Sequence, residues 1–233
     1  MYEEKRKINY YDLDSAGRVK LSALLRIVHI AADENATELG IGFAEMWRRE
    51  MSFILQRFAV LVARMPAYGD VVTIRTWPDS VARGTFLRKG DMFDANGKKI
   101  MEWASLWILF DIAARKILKP QALHVALPDF ANHGVQISPE KIILPAESEK
   151  ISAHVHTVRY ADVDTNQHMN NSIYGDLIGN ALPLSHAWRE MQINYLAETR
   201  LGDEISVAAH RHNNAIFVMG NSSEKTSFVA RVI

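Results

Sequence analysis

The sequence predicts an α+β fold in which two antiparallel five-stranded sheets each wrap one central helix. Three observations carry this. The order strand, helix, four strands occurs twice; short stretches of the second half repeat the first; and the two helices are rich in small and apolar residues, as a helix enclosed by its own sheet must be. The chain has 233 residues, of which 48% are apolar, enough to bury a sizeable core.

The charged, alternating N-terminus MYEEKRKINYY reads as the first strand. A helix follows over Leu21 to Leu39, because Leu21, Leu24, Leu25, Val28, Ala31 and Ala32 fall at helical spacing and Gly40 supplies a stop. Runs of β-branched and aromatic residues then predict strands at Met51 to Met65, Asp70 to Trp77, Arg83 to Asp94 and Lys98 to Asp111, the last two joined by the hairpin turn Asp94-Ala-Asn-Gly97. Between Ile112 and Ile151 lie four of the seven prolines, without sustained periodicity. That stretch reads as a crossover running over the surface, with a short helix around Gln121 to Ala126. The pattern then resumes with a strand at His154 to Tyr160 and a helix at Asn171 to Leu182. Four strands complete it, at Glu190 to Thr199, Glu204 to His210, Ala215 to Gly220 and Thr226 to Val232.

Local sequence supports a duplication. Asp12-Leu-Asp14-Ser15 matches Asp162-Val-Asp164-Thr165 at an offset of 150, and Gly69-Asp70-Val-Val-Thr-Ile74 resembles Gly202-Asp203-Glu-Ile-Ser-Val207 at an offset of 133. The expected architecture is a tandem double hot dog: residues 1–118 form one unit, 119–151 a linker and 152–233 the second unit, paired with the first as a pseudo-dimer. Either a monomer or a homodimer is compatible with it.

Composition removes several functions. With no Cys there are no disulfides, thiolate nucleophiles or thiolate metal sites. Lys and Arg (27) balance Asp and Glu (27), which argues against a nucleic-acid surface. No window reaches the roughly 20 apolar residues of a membrane-spanning helix, and the N-terminus lacks the apolar core of a signal peptide, so a cytoplasmic protein is expected. No phosphate loop or Gly-x-Ser-x-Gly elbow occurs. The pairs His154/His156 and His210/His212 suggest no third metal ligand and read as surface or packing residues; no metal or cofactor is expected.

Chemistry concentrates in DVDTNQHMNN, Asp162 to Asn171, between a strand and the second helix. In an extended segment Asp164, Asn166 and His168 point to one side, giving a carboxylate, an amide and an imidazole a common direction. Helix capping accounts for one of Asn170, Asn171 or Ser172, but not for His168. Calcium fails as an explanation, because Gln167 and Ile173 replace the Gly and Glu that a calcium loop needs. At the offset of 150, Asn166 becomes Ala16 and His168 becomes Arg18, so one copy keeps the polar set and the other has lost it. A folding requirement would act on both halves alike. A further carboxylate, Glu198, ends a strand where the first copy has Met65.

The run Asp164-Thr-Asn166-Gln-His168-Met-Asn170-Asn171 resembles the D-x-N-Q-H-x-N-N signature of bacterial-type acyl-acyl carrier protein thioesterases. Tyr195-Leu-Ala-Glu198 is similar to that family's Y-x-x-E segment, and the helix ending Leu39-Gly-Ile-Gly42 and the basic stretch Arg83 to Asp94 are similar as well. The resemblance implies a double hot dog enzyme that hydrolyses fatty acyl-acyl carrier protein, with catalytic residues Asp164, Asn166, His168 and Glu198. Plant members often carry a Cys after the matching Glu; here Thr199 stands there, so no thiol attacks. Two mechanisms stay open: water polarised by Glu198 and His168, with Asn166 and helix amides near Asn171 holding the oxyanion, or attack by Asp164 through a mixed anhydride. The resemblance also implies an acyl tunnel in the first half, for which Trp103, Trp107 and the helix around Leu24 to Val28 are candidates. An acidic carrier protein would dock on basic residues such as Arg48, Arg49, Arg83, Arg88 and Lys89. An acyl-CoA thioesterase and a non-catalytic acyl-binding protein are the alternatives.

Overall fold

The alternating N-terminus forms β1 (Tyr2–Lys7), and the helical spacing produces α1 over Leu21–Glu38. The computed structural model describes residues 1–128, 130, 133–183, 187–223 and 225–233. The remaining strands of the first half are β2 (Met51–Val62), β3 (Val71–Ala82), β4 (Thr85–Phe93) and β5 (Lys99–Asp111). Two elements go beyond the sequence reading: a short helix α2 (Phe43–Arg48) and a strand β6 (Lys116–Leu118) folded back on β5. The helix expected at Gln121 to Ala126 is a single 3-10 turn over Pro120–Leu123.

The second half contains β7 (Glu149–Thr157), α3 (Ile173–Ala181), β8 (Glu190–Tyr195), β9 (Glu204–His212), β10 (Ala215–Asn221) and β11 (Thr226–Val232). β7 begins and ends earlier than His154 to Tyr160. The reason is local: Asp162 Oδ2 accepts the Arg159 amide at 2.8 Å, curling Tyr160–Asp162 into a 3-10 turn. β8 stops at Tyr195 because the amides of Leu196 and Ala197 both bond Ser227 O, breaking the ladder before Glu198.

All strand pairs are antiparallel, in the order β1-β3-β4-β5-β2-β8-β11-β10-β9-β7. Each half contributes five strands to this path, but where two separate sheets were expected there is one. β2 pairs with β8, Arg57 opposite Asn194 and Leu61 opposite Glu190. Each of these strands would otherwise be an exposed edge with an unpaired row of amides and carbonyls, and joining them satisfies both. The helices of the two halves also meet. A Cβ on Gly175 of α3 would lie 2.6 Å from Ser22 N and 2.8 Å from Leu21 C of α1, so only glycine permits the approach. Residues of both halves, among them Leu24, Leu25, Leu177 and Ile178, share one core.

The linker crosses the outer face of the sheet and is tied down by side chains that are polar, buried and on central strands. Glu102 of β5 accepts the Gln136 and Ile137 amides, while Gln192 and Asn194 of β8 accept those of Glu140 and Ile142. Residues 129, 131 and 132 of the linker lie outside the described residues.

Candidate active site

The loop before α3 is a structural copy of the loop before α1. Asp12 and Asp162 each accept the amide three residues earlier, and the amides of Lys20 and Asn170 bond the carbonyls of Asp12 and Asp162 at 2.9 and 2.8 Å. Asp14 Oδ1 and Asp164 Oδ1 each accept the amide two residues on, that of Ala16 and that of Asn166, both at 2.8 Å. Asp14 N and Asp164 N bond the carbonyls of Arg18 and His168, and single bridges Leu13–Val19 and Val163–Met169 close the loops. The left-handed position at the tip is Gly17 in one copy and Gln167 in the other, with φ of 75° and 63°. Backbone shape is therefore common to both halves, and the side chains differ. Arg18 turns back onto Asp14 at 3.0 Å. His168, at the same place, reaches away from Asp164.

Its partner is Glu198, whose Oε2 lies 3.0 Å from His168 Nε2. The two are 30 residues apart in sequence, and no helix or strand ladder pairs them. The fold joins them because Met169 N bonds Thr199 O at 2.8 Å, clamping the loop to the turn after β8. That turn is again a duplicated one: Gly69 and Gly202, at φ of 84° and 89°, precede Asp70 and Asp203, which accept the amides of Ala67 and Arg200. Thr199 is fully buried and its hydroxyl meets Tyr174 Oη at 3.1 Å, a structural contact. Burial drives the phenols of Tyr174 and Tyr195 up from their usual range, so both remain neutral. The expected side-chain cap does not form: Ser172 is the N-cap of α3 without a side-chain cap bond, and Asn170 Oδ1 instead accepts the Ser172 amide and hydroxyl at 2.9 and 2.8 Å in the turn before the helix.

All four sequence-predicted residues, Asp164, Asn166, His168 and Glu198, line one open cavity of about 630 Å³. The sequence reading missed two neighbours. Arg115, from the β5–β6 turn of the first half, and Arg200 approach Glu198 Oε2 at 3.8 and 3.7 Å. The Glu-Thr-Arg spacing could have flagged Arg200; nothing local flags Arg115, which arrives from another half of the chain. A second cavity of about 210 Å³ runs into the first half and shares Asn166, Trp47, Ser52 and Phe53 with the first.

Trp107 lines this second cavity, as expected. Trp103 does not: it is core, packed where Gly90 leaves room for its ring, and Leu24 to Val28 are core except for exposed Arg26. The next turns of α1 line the cavity instead, through His29, Ala32 and Ala36. Most of the expected docking residues are engaged elsewhere. Arg48 pairs with Glu45, Arg49 donates to Leu123 O at 2.6 Å, Lys89 pairs with Asp79, and Arg88 donates to Asn35 and Thr76. Arg83 is exposed at the β3–β4 turn.

Comparison with known proteins identifies the family. The model of the acyl-ACP thioesterase N-terminal domain matches residues 1–122, and that of the C-terminal domain matches residues 146–230. A chloroplastic acyl-[acyl-carrier-protein] hydrolase of Cuphea viscosissima is 25% identical over 75% of this chain and 45% of its own length. A chloroplastic palmitoyl-acyl carrier protein thioesterase of Arabidopsis thaliana is 28% identical over 63% of this chain and 38% of its own. The chain thus spans about half or less of the length of these plant relatives. Two solved structures share the fold along nearly the whole chain. An acyl-ACP thioesterase from Bacteroides thetaiotaomicron has a TM-score of 0.83 at 23% identity, covering 99% of this chain and 96% of that one. The 12:0-ACP thioesterase from Umbellularia californica has a TM-score of 0.84 at 19% identity, covering 99% and 95%. With both halves matched by the models of one family, the chain belongs to the acyl-ACP thioesterases.

Proposed function

We propose that the chain hydrolyses the thioester of a fatty acyl-acyl carrier protein, releasing the free fatty acid and so ending chain growth. The observation that carries this reading is the His168–Glu198 contact of 3.0 Å beside Asn166, which lines both cavities. Residues 152–233 supply the chemistry and residues 1–118 hold the acyl chain, each unit a hot dog of five strands about one helix. A single chain contains both, and a cytoplasmic setting belongs to the same reading.

With Nε2–H donating to the Glu198 carboxylate, the lone pair of His168 resides on Nδ1, which takes a proton from water. The hydroxide attacks the thioester carbonyl carbon, Asn166 donates its side-chain amide to the developing oxyanion, and the C–S bond breaks as the thiolate recovers the proton from His168. Glu198 balances the transient imidazolium. This route is favoured over an Asp164 anhydride because Asp164 holds the same turn bond that Asp14 holds in the loop where Ala16 and Arg18 replace Asn166 and His168. Asp164 then acts as a positioning residue for Asn166.

The 210 Å³ cavity, walled by Phe43, Met46, Phe53, Phe86 and Trp107, takes the acyl segment. Release of free thiol, measured on matched acyl carrier protein and acyl-CoA thioesters from six to eighteen carbons, tests the proposal. It predicts faster turnover of the carrier-bound series. Preference for the CoA series would transfer the same chemistry to another carrier, and no release from either would reduce the chain to an acyl-binding protein.

A further inference from the structure

The wall of the acyl cavity contains polar groups that a plain hydrocarbon chain leaves without partners. Arg88 lines it, and only Nη1 is engaged, at 2.9 Å from Asn35 Oδ1 and 3.3 Å from Thr76 Oγ1. Both acceptors are neutral, and no carboxylate stands within ion-pair distance of this guanidinium among the described residues. Burial lowers its pKa to about 10, with the charge of Asp33 opposing, so Arg88 stays cationic at neutral pH. Its Nε and Nη2 donors are left to a ligand in the cavity.

His29 lines the same cavity. Its ring sits edge-on between Phe58 and Trp107, with centroids at 6.1 and 5.8 Å, and its Nε2 is sealed off without a hydrogen-bond partner. Turning the ring over about χ2 exchanges Nε2 with Cε1 and keeps the packed volume, so either nitrogen can be presented. Asp33, on the same helix, adds a carboxylate to the cavity rim.

We propose that this cavity selects acyl chains bearing a hydroxyl group, which accepts a hydrogen bond from Arg88 and donates one to His29 or Asp33. A hydroxyl is the substituent that answers all three groups, since Arg88 only donates, the Asp33 carboxylate only accepts, and a neutral imidazole does either. A second carboxylate on the chain would meet Asp33 and be disfavoured. The proposal rests on the thioesterase reading and narrows its substrate class.

The test compares kcat/KM for octanoyl-carrier protein with its hydroxyoctanoyl isomers, hydroxylated in turn from the third to the eighth carbon, and with the carboxyl-ended chain of equal length. A hydrogen bond to a charged group predicts that at least one hydroxy isomer exceeds the plain chain by about tenfold. Arg88→Met should bring that ratio to within about twofold of one, and Arg88→Lys should restore part of it. The proposal is overturned if the plain chain outperforms every hydroxy isomer, if the carboxyl-ended chain is best, or if the preference survives Arg88→Met. Should no thioester turn over, the catalytic reading fails separately. Thermal-shift binding of free octanoic and hydroxyoctanoic acids then still decides: stronger stabilisation by a hydroxy acid supports the selection, and equal stabilisation refutes it.

Discussion

Helices α1 and α3 meet at Gly175, and Gly175→Ala measures what that contact is worth. A Cβ there would meet Ser22 N at 2.6 Å and Leu21 C at 2.8 Å, both backbone atoms of the first turn of α1. No rotamer change relieves such a clash, so α3 must back away from α1 across a core shared by both halves. Overpacking of this kind costs about 1–3 kcal/mol, against a helix-propensity gain of about 0.5–1 kcal/mol from replacing glycine. The expected net effect is a loss of about 1–2 kcal/mol, or a fall in Tm of about 2–8 °C for a chain of this size. Gly179→Ala is the internal control, because that glycine is exposed on the same helix with nothing within 4 Å of the added carbon. It should gain about 0.5–1 kcal/mol. Urea unfolding with constant m-values reads both. If the two substitutions shift stability in the same direction, the account of a glycine-limited helix contact is wrong.

Replacing His168 by Ala should lower kcat/KM for thioester hydrolysis by about 10²- to 10⁴-fold with unchanged thermal stability, and Glu198→Gln should follow it at lesser cost. In a double-mutant cycle the two effects should fall well short of additivity, since they act through one contact of 3.0 Å. Stability of the wild type should also drop on acidification. Burial lowers the His29 pKa from 6.5 to about 4, so below pH 6.5 the unfolded chain binds a proton that the folded chain refuses. The penalty is absent above pH 6.5 and grows to about 3 kcal/mol near pH 4. His29→Phe should remove that part of the acid sensitivity in denaturation curves across pH 4 to 7. Asn194→Ala strips partners from the Ile142 amide, at 2.9 Å, and the Glu140 carbonyl, at 2.8 Å. Chemical denaturation should show a loss of about 1–3 kcal/mol, since the Ile142 amide stays buried without its acceptor.

Much of this was legible in the sequence because it is local. The hairpin at Asp94 to Gly97, the apolar spacing of α1 and the Asp-x-Asp loops each depend on a few neighbouring residues, and each forms as its residues require. The repeat offsets of 150 and 133 proved readable for the same reason, since each pair of matching segments makes the same turn bonds. What escaped is long-range. The β2–β8 seam joins two strands that both have apolar and polar residues enough for an edge, and the choice between edge and partner lies outside either strand. Arg88 reads as a surface cation because its burial comes from α1, through Asn35, 53 positions away. Arg115 reaches Glu198 from the opposite half, and Trp103 reads as a tunnel residue until Gly90 provides the space that makes it core. His168 stands out because histidine is not a capping residue; its partner Glu198 belongs to a separate segment, and the Met169–Thr199 bond holds the two segments together.

The central claim is that water, activated at His168 and Glu198, attacks the thioester directly while Asp164 holds the loop. Single-turnover hydrolysis in heavy-oxygen water, followed by mass analysis of the released acid and of the Asp164 peptide, tests it most directly. The account predicts one heavy oxygen in the fatty acid and none on Asp164. Heavy oxygen recovered in the Asp164 carboxylate would contradict it, because that label arises when water opens an anhydride at the aspartyl carbon.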